Sequence, residues 1–195
     1  MNDLNSININ RKRRRRRRRL IVIVWFLLLA TGLAWFFELQ ATTTIILSRY
    51  ADQQSNSIGM GLSPTGQRRS QELARVLSDV DVVAGVDAIF VAPTARSRIT
   101  ATPLALANEV PIYTIEDPSD AEGLVQRILT DFKGKIVLIV TEPEYISPTI
   151  IEMHGSKKLP VIDGAEYDNL YIVTIPWFGK VKTLRLRYGN PYLGS

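Results

Sequence analysis

The stretch Lys135–Val140, KIVLIV, is the clearest buried β-strand in this sequence of 195 residues. Its five consecutive apolar side chains are typical of a strand that is covered on both faces, as the strands of parallel sheets are. Residues 121–132 before it and 145–153 after it show the apolar spacing of helices. A helix–strand–helix order is typical of βαβ units, in which right-handed crossovers join parallel strands.

The same alternation continues on both sides of that segment. Short apolar runs predict further strands at 43–48, 88–91, 111–115, 170–175 and 181–187. One helix should begin at Ser63-Pro64, with Ser as N-cap and Pro at the first helical position, and another should span about 94–107. The sequence therefore predicts a three-layer α/β/α domain over residues 43–190, built on a mainly parallel sheet.

Residues 1–37 have a different composition. Nine basic residues fill positions 11–19, and the 18 residues 20–37 carry no charge. A helix of that length spans about 27 Å, close to the roughly 30 Å of a bilayer's hydrocarbon core. We favour a retained signal anchor, because the apolar run is longer than that of a usual signal peptide. A cleaved signal peptide and a nuclear-type or RNA-binding basic arm are the alternatives.

The basic run also predicts the topology. Lys and Arg beside a first helix stay in the cytoplasm, so residues 1–19 should be a cytoplasmic tail and 20–37 a single transmembrane helix. Residues 38–42 would then be a connector to a domain on the far side, which is the periplasm if the membrane is a bacterial inner membrane. Anionic lipid headgroups are the expected partners of the arginines.

Charge and composition exclude several kinds of site. Without residues 1–19, the chain has 15 basic and 18 acidic residues, so the folded part is mildly acidic and should not bind nucleic acid. Cysteine is absent, which excludes disulfides and thiolate metal sites. With a single histidine, His154, the chain offers only scattered carboxylates to a metal, and we expect neither a metal nor a cofactor.

Polar residues follow three of the predicted strands. Arg49 and Tyr50 come after the first strand, Arg96 after the second, and Glu142 after KIVLIV. Binding sites of such sheets lie at the carboxyl ends of the strands. We therefore expect two arginines and one carboxylate to converge on one pocket.

Four segments carry a further pattern: ILSRYA (46–51), LSPTGQRRSQELA (62–74), AIFVAPTARSRITATPLA (88–105) and VLIVTEPEYISPTIIEMHG (137–155). In this order they resemble the histidine phosphatase superfamily, also called phosphoglycerate-mutase-like. Its members show L-x-R-H-G, L-T-x-x-G-x-x-Q-A, S-S-P-x-x-R-A-x-Q-T-A and a strand followed by G-H. The segment GAEYDNLYIVTI (164–175) is similar to the family's late part, so the resemblance covers about residues 43–187. Ala51 and Ile99 replace the family's usual Gly and Gln.

The resemblance implies that Tyr50 and Glu142 occupy the positions of the two catalytic histidines, whereas Arg49 and Arg96 match the phosphate-binding arginines. A phenol is a much weaker nucleophile at neutral pH than an imidazole. A carboxylate would repel a phosphoryl group by about 4 kcal/mol per charge pair at about 4 Å and an effective dielectric near 20. We therefore expect no catalytic residue. Glu142 could instead form an ion pair with Arg49 or Arg96 and fill the anion site.

Two other residues are interpreted as structural. Arg98 should be a solvated helix residue rather than a ligand. His154 should lie at a helix end beside Gly155, remote from the pocket.

The favoured function is a membrane-anchored, catalytically inactive domain that binds an anion or acts as a scaffold at the cell envelope. Its partners would be membrane lipids and a phosphorylated ligand or a protein. One alternative is a divergent phosphatase acting on a periplasmic or envelope phosphoester. The other is a structural subunit of a membrane complex.

Overall fold

The computed structural model describes residues 3–38, 42–53, 61–79 and 85–191. It divides into two compact units, residues 1–40 and 41–195. The first unit contains helix α1, Asp3–Glu38, which includes the basic run. Within it, the 21 residues Arg16–Phe36 are long and apolar enough to cross a membrane. The apolar side chains of this stretch are not buried against the rest of the protein. Most of the predicted connector 38–42 lies outside the described residues.

The second unit is built on one sheet with strand order β3-β2-β4-β1-β5-β6. Its elements are β1 Thr43–Arg49, α2 Pro64–Ser78, β2 Ala88–Val91, α3 Ala95–Asn108, β3 Ile112–Thr114, α4 Ala121–Asp131, β4 Ile136–Thr141, α5 Pro143–Glu152, β5 Asn169–Ile175 and β6 Lys182–Arg187. Strands β3, β2, β4 and β1 are parallel, whereas β5 and β6 add an antiparallel hairpin.

Helices cover the sheet on both faces. Helices α4 and α5 pack on one face, where Ile45, Leu47 and Ile139 of the central strands are fully buried. Helices α2 and α3 pack on the other, over Ile46 and Leu138. Consecutive side chains of a strand point to opposite faces, so a continuous apolar run such as KIVLIV supplies both cores. The predicted three-layer, mainly parallel fold is confirmed.

The helix starts follow from local chemistry. The Ser63 hydroxyl accepts a hydrogen bond from the Gly66 backbone N–H at 3.0 Å, and Pro64 occupies the first turn. Helix α5 begins at Pro143, two residues before the predicted 145, because proline's fixed φ suits the first helical position.

The sheet has two ends that matter for function. The edge where β1 and β4 end, at Arg49 and Thr141, is called the site end. We call the entry end the opposite edge, where the chain enters the domain at Thr43. Antiparallel pairing places Thr43 beside Ile175, so the turn between β5 and β6 lies at the entry end.

Candidate functional site

Arg49 is the most constrained side chain of the predicted site. It is only 4% exposed, at the carboxyl end of β1. Its Nη1 donates to the backbone carbonyls of Asp163 (3.2 Å), Gly164 (2.8 Å) and Glu166 (3.3 Å). The guanidinium also lies 3.9 Å from the centroid of the Tyr167 ring. The Nη1 group is therefore directed at the protein's own 163–166 carbonyls, whereas the buried Nε has no hydrogen-bond partner among the described residues.

Tyr50 lies between the two predicted phosphate-binding arginines. The guanidinium carbon of Arg49 is 5.2 Å from the centroid of its ring, and that of Arg96 is 4.6 Å away. The residue is 7% exposed and belongs to the core cluster on the α2–α3 face. Cation–π contacts of this kind favour the ring as a packing surface for the two cations. The structure thus brings Arg49 and Arg96, the two arginines of the predicted group, together around the Tyr50 ring.

Arg96 has fewer hydrogen-bond partners than Arg49 among the described residues. It lies in the first turn of α3, is half-buried, and its Nη1 donates to the side-chain oxygen of Gln53. Gln53 belongs to the loop after β1, so this contact ties the loop to α3. Of the two arginines, Arg96 has the more accessible guanidinium and is the better candidate to meet an anion.

The proposed ion pair of Glu142 with Arg49 or Arg96 is wrong. Among the described residues Glu142 forms no ion pair, and its carboxylate accepts a hydrogen bond from the Thr141 hydroxyl at 3.3 Å. It is half-buried at the N-cap of α5 but makes no side-chain cap there. The physical reason is that each arginine already has oxygen partners, Arg49 from backbone carbonyls and Arg96 from Gln53.

The loop after β1 is fixed by α2 and α3. The Ala51 N–H donates to the Thr100 hydroxyl at 2.9 Å, and the Asp52 carbonyl accepts from the Ser63 N–H at 2.9 Å. Arg69 of α2, 8% exposed, forms an ion pair with the Asp52 carboxylate. These bonds join three of the motif-like segments into one polar framework around Tyr50.

The groups that hold the 163–168 segment were not predicted from the sequence. Glu166, 5% exposed, forms ion pairs with Arg185 and with Arg187, the latter at 2.7 Å, and Arg187 also reaches Asp168 at 3.0 Å. The one sequence feature that could have indicated these ion pairs is the alternation of basic residues with leucines in β6. The pairing of β5 with β6 is what places them opposite the acids. These ion pairs hold in place the segment whose backbone carbonyls accept hydrogen bonds from Arg49.

Tyr188 packs against β1 through its hydroxyl group. Its hydroxyl lies 3.3 Å from the Ser48 hydroxyl, and burial raises the pKa of Tyr188 to about 12. A phenol held neutral in this way is a structural hydrogen-bonding group at physiological pH rather than a nucleophile.

Arg98 and His154 lie outside this site. Arg98 is exposed and donates to the Thr114 hydroxyl at 2.7 Å. His154 is exposed beyond the end of α5, in a left-handed conformation with φ 58°, towards the entry end. Within the described part of the chain, no group of three His, Cys, Asp or Glu residues is placed to hold a metal ion.

No protein-family model and no curated protein matches the sequence. Solved structures do resemble the second unit. One is the protein histidine phosphatase SixA complexed with tungstate, at TM-score 0.60 and 14% identity, covering 74% of this chain and 96% of that one.

Two further solved structures have the same architecture. Phosphoglycerate mutase from Plasmodium falciparum matches at TM-score 0.55 and 12% identity, covering 80% of this chain and 98% of that one. Phosphoserine phosphatase from Entamoeba histolytica, in complex with 3-phosphoglyceric acid, matches at TM-score 0.52 and 13% identity, covering 76% and 97%. The domain that follows the apolar helix α1 therefore has the histidine phosphatase fold.

Proposed function

We propose that this protein is a membrane-anchored, catalytically inactive member of the histidine phosphatase superfamily that acts as a scaffolding module at the cell envelope. The observation that carries the proposal is the state of the site. Where the family motif has its nucleophilic histidine, the Tyr50 ring packs against two guanidinium groups. Arg49 in turn donates to three backbone carbonyls of this chain.

Electrostatics supports the same proposal. A transferred phosphoryl group needs several cationic or N–H donors aimed at its oxygens. Here Arg49 is directed at the 163–166 carbonyls, and Glu142 adds a carboxylate at the end of the neighbouring strand β4. Binding of an anion would rely mainly on Arg96, so we place the scaffolding role ahead of the anion-binding one.

We expect the full chain, purified in detergent, to hydrolyse aryl phosphates no faster than buffer and to form no acid-labile phosphoenzyme. The reason is the absence of an imidazole at position 50 and the charge of Glu142. An active histidine phosphatase in the same detergent is the positive control. Turnover that disappears in Tyr50→Phe while the fold persists would instead establish the divergent phosphatase.

Thermal stability in phosphate separates the two inactive roles. A ligand that binds only the native state stabilises it by about 2.7 kcal/mol at a hundredfold excess over its Kd. A scaffold should show no such gain. A gain that Arg96→Ala abolishes would make the protein an anion-binding module.

We place the domain in the periplasm of a bacterium, with the tail 1–19 in the cytoplasm. The support is the run of nine basic residues before the apolar stretch. We expect a reporter fused after Ser195 to be active only outside the cytoplasm, and the protein to stay in the membrane fraction after alkaline washing. A soluble fragment beginning near Thr42 would instead show cleavage of a signal peptide.

A further inference from the structure

The turn between β5 and β6 exposes two large aromatic side chains. Trp177 is 53% exposed and Phe178 is 86% exposed, with their ring centroids 6.5 Å apart. Such rings are unusual at the tip of a solvated hairpin, where small polar residues are the common choice. Neither residue has a part in the site described above, which lies at the other end of the sheet.

The same turn carries positive charge. Lys180 is exposed in the second half of the turn, and Lys182 is exposed as the first residue of β6. Lys133 and Lys135 are exposed at the start of β4, at the same end of the sheet, where Lys135 forms an ion pair with Asp87. Asp131 and Glu152 are exposed acids at this end, and Glu152 lines a pocket together with Ile175 and Val181. Lysines around exposed aromatic rings are typical of surfaces that meet anionic lipid headgroups.

The position of the turn decides which surface it can meet. Thr43, the first residue of β1, pairs with Ile175, which directly precedes the turn. Helix α1 ends at Glu38, so five peptide units connect it to Thr43, a covalent reach of at most about 18 Å. If α1 is the anchor, this short covalent connection limits how far the entry end of the domain, and with it the aromatic turn, can lie from the bilayer.

We propose that the turn 176–181 is a second membrane contact, in which Trp177 and Phe178 enter the headgroup region of the bilayer and Lys180 and Lys182 bind anionic headgroups. This inference rests on the proposed membrane anchor. The contact would fix the domain's orientation about its short connector. The site end would then point away from the bilayer, since the seven residues of β1 span about 20 Å.

Tryptophan quenching in vesicles tests the contact. The chain has three tryptophans, so the full-length variant Trp25→Phe/Trp35→Phe leaves Trp177 as the sole reporter. It is reconstituted into phosphatidylethanolamine–phosphatidylglycerol vesicles with brominated acyl chains. We expect Trp177 to emit at shorter wavelength and to lose about half of its emission, as an interfacial ring should. Adding Lys180→Glu/Lys182→Glu should restore most of that emission.

The matched control moves the reporter to the site end. Exposed Glu116 follows β3 there, and Glu116→Trp with the three native tryptophans changed to Phe should keep its emission. Equal quenching at both positions would mean non-specific adhesion and overturn the hairpin contact. Unquenched Trp177 in chains that float with the vesicles would overturn the contact but leave the anchor. Chains that do not float would overturn the anchor, and the contact with it.

Discussion

Arg49→Ala should lower the free energy of unfolding by about 2–4 kcal/mol, because hydrogen bonds to a charged donor are strong and the buried carbonyl of Glu166 would be left without this donor. Three carbonyls of the 163–166 segment would lose their donor, and the Tyr167 ring would lose its guanidinium contact. That loss is a large fraction of the roughly 5–15 kcal/mol that holds a domain folded. Denaturant unfolding of the full chain in detergent measures it.

Two further variants test whether the loss of stability in Arg49→Ala depends on the planar guanidinium at this position rather than on removal of any positive charge. Arg96→Ala removes a half-buried guanidinium with one side-chain partner, so it should cost no more than about 1 kcal/mol. Arg49→Lys keeps the charge but not the planar fork, and should recover only part of the loss. If Arg49→Ala were nearly neutral while phosphate stabilised the wild type, Arg49 would be a ligand-binding residue and not a structural one.

Gly66→Ala should destabilise the domain by about 1–3 kcal/mol, the usual effect of overpacking, although alanine is the better helix former by about 1 kcal/mol. A Cβ at position 66 would overlap the Asp52 carbonyl oxygen and lie 3.0 Å from the Asp52 carbonyl carbon. These are backbone atoms of the loop that carries Tyr50, so the loop itself would have to move. Thermal unfolding measures the loss.

Gly61→Ala is the matched control for that variant. Among the described residues, nothing lies within 4 Å of a Cβ built at Gly61, so its effect should stay within about 0.5 kcal/mol. Should the two substitutions prove equally harmless, the close approach of α2 to the loop after β1 would be incorrect. Gly66 occupies the glycine position of the segment that resembles L-T-x-x-G-x-x-Q-A. The close approach of the Asp52 backbone explains why a residue without a Cβ is needed there.

Most of the secondary structure could be predicted because its causes are local. The apolar run of β4, the Ser63 cap of α2 and Pro143 at the start of α5 act within a few residues of themselves. The order of the motif-like segments, read together with these patterns, indicates the histidine phosphatase fold. It also predicted that Arg49 and Arg96 converge, since the carboxyl ends of parallel strands lie along one edge of the sheet.

The partner of each arginine could not be predicted in the same way. Glu142 is as acidic in the sequence as Glu166, yet Glu166 forms ion pairs and Glu142 forms none among the described residues. The difference arises from β6, whose pairing with β5 brings Arg185 and Arg187 to Glu166. Arg49, held by backbone carbonyls more than 100 positions away in the chain, could be placed only by that packing.

The sequence by itself determined the apolar helix, the order of strands and helices, and the absence of histidine from positions 50 and 142, because each is a matter of composition or short-range pattern. Tertiary structure decided how the site is occupied and where the Trp177–Phe178 turn lies. Both depend on contacts between distant segments, Arg49 with the 163–167 segment and Thr43 with Ile175. Side-chain direction and strand pairing fix such contacts, and no local pattern encodes either.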